Sequence, residues 1–77
     1  MQSEPTNVSK EEVDKLYFVS FCVEQYKKHI AATGEFVLEQ FEQYGVVDYL
    51  HEFYDVLHTE NAKWLIEEID NYIKAKQ

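Results

Sequence analysis

Five side chains between Asp48 and His58 belong to the types that bind metal ions: Asp48, His51, Glu52, Asp55 and His58. Carboxylate and imidazole groups together suit zinc or manganese. Their spacing, however, is that of the solvated face of an amphipathic helix, where polar residues belong whatever the function. Ligands in helical proteins project inward from several helices, so no metal is expected here. Cys22 and His29 offer a thiol and an imidazole seven residues apart. On a helix that is two turns, about 10 Å, too far for the hydrogen bond that activates a thiolate. Cys22 therefore reads as a small buried hydrophobe.

General acid–base catalysis finds no better footing. Three His and fifteen acids make chance pairs inevitable, and a pair becomes a site only in a cleft. There is no Arg to clamp an anion. The two glycines, Gly34 and Gly45, are isolated helix terminators and form no phosphate-cradling loop. No catalytic residue and no cofactor are expected, and the chain is not expected to be an enzyme.

The elements that would position any site are helices. Ser9, followed by Glu12, has the capping-box spacing, and a first helix is expected from Lys10 to about Ala32. At 100° per residue Leu16, Val19, Val23, Tyr26 and Ile30 form its core stripe, with Cys22 at the edge. Thr33 caps a second helix, Gly34 to Tyr44, with Val37, Leu38, Phe41 and Tyr44 inward. A third covers Val46 to Leu57 and turns Val46, Tyr49, Leu50, Phe53, Tyr54, Val56 and Leu57 to one broad face. Thr59 caps a fourth, Glu60 to about Ala75, whose core arc holds Ala62, Leu65, Ile66, Ile69, Tyr72 and Ile73. No strand pattern competes. The expected fold is all-α, a compact four-helix bundle or orthogonal array of short helices. Residues 1–8 are polar and aperiodic and are expected to be a flexible tail; residues 9–77 form the single helical domain.

Composition narrows the function further. Seventy-seven residues allow one domain, which buries only about 60% of its unfolded surface. One Cys rules out an internal disulfide framework and a zinc finger. A net charge of −8 argues against nucleic acid, whose phosphates need clustered cations. No apolar run approaches the ~20 residues of a membrane span. The opening residues, Met1 to Pro5, lack the basic and apolar regions of a signal peptide, and a cytoplasmic location is expected.

The aromatic residues are the anomaly. Trp64 points away from its helix's core arc, among Glu67, Glu68 and Asn71. Tyr17, Phe18 and Phe21 fall outside the stripe of the first helix. One explanation is that packing from two sides covers them. The other is an exposed patch of the kind that marks a binding surface, with Tyr17, Phe18, Phe21 and Trp64 as contacts and Glu67 and Glu68 as rim charges.

The segment Tyr44-Gly45-Val46-Val47-Asp48-Tyr49-Leu50-His51-Glu52-Phe53-Tyr54-Asp55-Val56-Leu57-His58-Thr59, with Phe18 to Lys27 before it and Ile66 to Asp70 after it, resembles a family of short bacterial proteins, domain of unknown function 3791. The resemblance runs over about residues 9–75, and its most specific part is Asp55 to Thr59. It implies a cytoplasmic protein without assigned catalysis. It also implies an arrangement like a toxin–antitoxin pair, in which the small acidic member binds a neighbouring-gene product similar to ADP-ribosyltransferases. No catalytic residue is carried over. Tyr54, Asp55 and His58 lie where the third helix meets the fourth, and Asp55 or His58 is expected to fix that turn through exposed backbone groups. The functional expectation is a non-catalytic protein-binding module, antitoxin-like. The alternatives are a self-associating domain and, more remotely, a small metal-dependent enzyme. The expected partner is a protein or a second copy, not nucleic acid and not a membrane.

Overall fold

Ser9 opens the first helix, its hydroxyl accepting from the Glu12 N–H at 3.2 Å. The computed structural model describes residues 9–77, so the expected tail, residues 1–8, lies outside the described residues. Five helices follow in order: α1 (Lys10–Ile30), α2 (Gly34–Gln43), α3 (Val46–Glu52), α4 (Tyr54–Leu57) and α5 (Ala62–Lys76). The fold is all-α and compact, with no strand among the described residues. None of the helices is long and apolar enough to cross a membrane. The longest, α1, packs against α2, α3 and α5 and serves as the scaffold.

One core joins all five: Phe18, Cys22 and Tyr26 of α1, Val37 and Phe41 of α2, Val46 and Leu50 of α3, Leu57 of α4, and Leu65, Ile69 and Ile73 of α5. Each large side chain sealed from water contributes about 1.5–3 kcal/mol. No polar or charged side chain is fully buried among the described residues.

The structure corrects the expected helices in four places. The α1 core line is Phe18–Cys22–Tyr26, rotated by roughly 80° from the stripe read at 100° per residue. Val19, Val23 and Ile30 remain at its margin, while Leu16 is 62% exposed. Leu16 lies about 120° round the helix from the Phe18–Cys22–Tyr26 line, on a flank outside that line. Second, the third helix is broken at Phe53, whose φ of −103° and ψ of 24° separate α3 from α4. Leu50 and Leu57 keep helical register across the break and both stay buried. The broad apolar face is sealed only along Val46, Leu50 and Leu57; Phe53 and Val56 face water.

Third, the last helix begins later. Asn61 Oδ1 accepts from the Trp64 N–H at 2.8 Å. Thr59 instead turns back, donating its hydroxyl to the Val56 carbonyl at 2.8 Å. Fourth, α1 stops two residues early, at Ala31. That residue has φ 54°, and its N–H and that of Ala32 both close on the Lys27 carbonyl. The left-handed region costs a non-glycine residue about 1–2 kcal/mol. Ala31→Gly is therefore expected to raise stability by about 0.5–1 kcal/mol, after the larger backbone entropy of glycine in the unfolded chain is set against the relief. A thermal melt checks it, and an unchanged or lowered midpoint contradicts the strain.

Between α2 and α3 only Tyr44 and Gly45 intervene. Gly45 has φ 72°, and its left-handed backbone lets α3 start against α2 without a longer loop.

Candidate interaction surface

The outward side of α1 carries Tyr17 and Phe21, one turn apart and therefore adjacent on the helix surface. Tyr17 is 72% exposed and Phe21 is also in water. Both stand where the sequence leaves them, off the core line. Phe18 does not join them. It is buried at 9% exposure, and its ring meets Tyr54 edge-on at 5.5 Å. The rotation of α1 that uncovers Leu16 is what turns Phe18 inward, so Phe18 is removed from the contact set. Trp64 is 39% exposed, so part of its indole rests on the domain. None of the ring contacts among the described residues involves Trp64, Tyr17 or Phe21.

Of the two rim acids, Glu67 is exposed. Glu68 serves the interior instead: the Tyr49 hydroxyl donates to it at 2.8 Å, tying α3 to α5. Tyr49 also stacks on Tyr72 at 4.3 Å. Burial first, then the bond to Glu68, pushes the Tyr49 phenol up to about 12. Glu68 is thus a clamp residue, an outcome its helical neighbours Trp64 and Glu67 do not reveal.

At the α4 end, His58 Nδ1 lies 2.7 Å from the Tyr54 carbonyl. A carbonyl only accepts, so the proton sits on Nδ1. The imidazole also stacks on the Tyr54 ring at 4.3 Å. Tyr54 and His58 are thereby brought together. Asp55 is exposed and takes no part in the side-chain hydrogen bonds or ion pairs among the described residues.

The remaining candidate chemistry is engaged elsewhere. His51 Nε2 donates to Glu12 Oε2 at 3.1 Å, joining α3 to α1; the Glu12 carboxylate is used here rather than closing a capping box on Ser9. Among the described residues no three His, Cys, Asp or Glu side chains gather as a metal ion requires. Cys22 is sealed at the centre, and burial pushes its thiol up to about 12, far from the range of a reactive thiolate. His29 does not face it but donates to Asp70 Oδ2 at 3.1 Å. The other Asp70 oxygen accepts from the Tyr26 hydroxyl at 2.5 Å. This three-residue clamp between α1 and α5 was not legible beforehand, because its partners are more than 40 residues apart. An open groove of about 440 Å³ is lined by Glu42, Gln43, Tyr44, Gly45 and Lys76; none of the candidate contact or turn residues lines it.

Among the described residues five further exposed apolar side chains were not foreseen as surface: Leu16, Phe36, Leu38, Phe53 and Val56. Only Phe36 carried a signal, since it lies off the core face of its helix. The geometry therefore offers apolar anchors on a charged exterior, an arrangement suited to docking.

No curated protein and no solved structure matches the chain. The model of one family, described as protein of unknown function (DUF3791), matches residues 17–76. That span begins at the exposed Tyr17 and takes in the rest of α1 and all of α2 to α5, so the chain belongs to the DUF3791 family.

Proposed function

We propose that this domain works by binding another protein and catalyses no reaction of its own. One observation carries the proposal: among the described residues eight large apolar side chains are exposed on a domain of this size, while every buried side chain is nonpolar or a core tyrosine. Isolated exposed hydrophobes are ordinary, but adjacent aromatics such as Tyr17 and Phe21 are the residues from which binding hot spots are made. The polar clusters that could have served catalysis hold helices together instead: Tyr26, His29 and Asp70 in one, His51 and Glu12 in another. In its narrower form the proposal makes the domain antitoxin-like, covering the active site of a neighbouring-gene toxin that resembles ADP-ribosyltransferases, with the encounter set in the cytoplasm. A single buried thiol suits a reducing compartment.

Co-expression with the neighbouring gene tests this form. Co-purification in a defined ratio, with growth restored, is the expected result. Absence of both sinks the antitoxin form. Light scattering on the chain alone addresses self-association: a dimer that persists on dilution would make a second copy the partner.

A further inference from the structure

Resting on the proposal that the domain binds a protein, we infer that the docking surface lies on α2, α3 and α4 and that its occupant is a cationic, partly apolar segment of another protein. The anchors are Leu38 on α2 and Phe53 and Val56 at the break between α3 and α4, all exposed; Phe36, two residues from Leu38, lies on the other flank of α2 and is not among them. Helix α3 packs on both α2 and α4, and Val37, Phe41, Val46, Leu50 and Leu57 all belong to the one core, so these anchors belong to one rigid unit.

Charge selects the occupant. Between Lys28 and Lys63 the sequence has no Lys or Arg, yet it has Glu35, Glu39, Glu42, Asp48, Glu52, Asp55 and Glu60. All seven are exposed, and the ion pairs among the described residues use none of them. The acids of α1 are different. Asp14 pairs with Lys10, Glu11 with Lys15, Glu24 with Lys27 and Glu12 with His51. Helix α1 therefore carries balanced charge, and nearly all of the net −8 falls on the segment from α2 to Glu60. A second copy would bring like charges together there, which opposes pairing. An apolar anchor flanked by Lys or Arg answers both features, as when a basic amphipathic helix lies on an acidic surface with hydrophobic anchors.

The test uses the full chain and a helical peptide of Leu and Lys with apolar residues three and four apart, beside its Glu-for-Lys counterpart. Calorimetric titration at low salt should show the Lys peptide binding and the Glu peptide not binding. Binding should weaken as salt screens the contact. The double variant Leu38→Ser with Val56→Ser should weaken it about tenfold or more, equivalent to about 1.4 kcal/mol. Glu35→Gln with Glu39→Gln and Glu42→Gln should flatten the salt dependence. Leu16→Ser, an exposed α1 change outside every proposed contact, should leave affinity within about twofold, and circular dichroism should show each variant folded. No binding of the Lys peptide, or equal binding of both peptides, overturns the inference. Loss in a Tyr17→Ser with Phe21→Ser variant, and none in the Leu38→Ser with Val56→Ser variant, moves the surface to α1, which overturns the location while the binding-module proposal stands. A dimer dispersed by Leu38→Ser with Val56→Ser makes the occupant a second copy and also overturns it. Failure of co-expression, by contrast, removes the particular neighbouring partner without touching the peptide result.

Discussion

Replacing Phe41 with Ala is expected to leave most of the domain unfolded near physiological temperature. The Phe41 ring is wholly buried and is the largest of the fully buried side chains. It sits 5.6 Å from the Tyr26 ring, where α2 packs on the scaffold helix. Truncating a buried Phe to Ala costs about 3–5 kcal/mol, because the lost transfer energy is joined by that of a cavity. A domain of this length has about 4–12 kcal/mol in all, at ~0.05–0.15 kcal/mol per residue. The midpoint of a thermal melt should fall by about 15–30 °C, at ~4–8 °C per kcal/mol for small domains. Leu38→Ala, three residues earlier on the exposed side of α2, provides the contrast. Surface changes remain within about 0.5 kcal/mol, so its melt should move little. Similar shifts in the two variants would mean that the α2 core face has been misidentified.

The second large effect is expected at Asp70. Its two oxygens hold Tyr26 and His29, both on α1. Asp70→Ala leaves the Tyr26 hydroxyl without an acceptor beside the core, and stranding such a group costs about 1–3 kcal/mol. The loss should depend on pH. Desolvation pushes the Asp70 carboxyl up, but the bonds from Tyr26 and His29, together with the charges of His29 and Lys74, outweigh it and hold the group below its ordinary 3.8. A carboxyl depressed in the folded state adds stability above its unfolded value, and that stability disappears as pH falls through the folded value. The gap between the native chain and the variant should therefore be fully open above about pH 5 and close progressively below pH ~4. Urea titrations at several pH values measure it. A gap that widens in acid would reverse the assignment.

Much of the architecture could be read from residue types. Ser9 and Thr33 are caps where the spacing places them, and α5 buries Leu65, Ile69 and Ile73 as its periodicity requires. The rotation of α1 could not be read so directly. Val19, Val23 and Ile30 outweigh Phe18 and Cys22 in a hydropathy sum, whereas the choice between adjacent stripes depends on where α2, α3 and α5 land. The break at Phe53 leaves no mark in the apolar spacing, since Leu50 and Leu57 stay in phase on either side of it. Of the proposed contacts, Tyr17 and Phe21 were distinguishable because they sit well outside any stripe. Glu68 was not, because a carboxylate on a helix looks the same whether it faces water or a tyrosine 19 residues away along the chain. The clamp at Asp70 depends on a fold-level meeting of the first and last helices, which local sequence does not encode.

The sealing of Cys22 gives the molecule a clock. A thiol that water cannot reach reacts with a labelling reagent only when the interior opens. With just one sulfhydryl in the chain, every modified molecule records one opening event. The modification rate then reports how often α1 parts from its neighbours, without an introduced probe, and it should slow whenever a bound protein holds the helices closed.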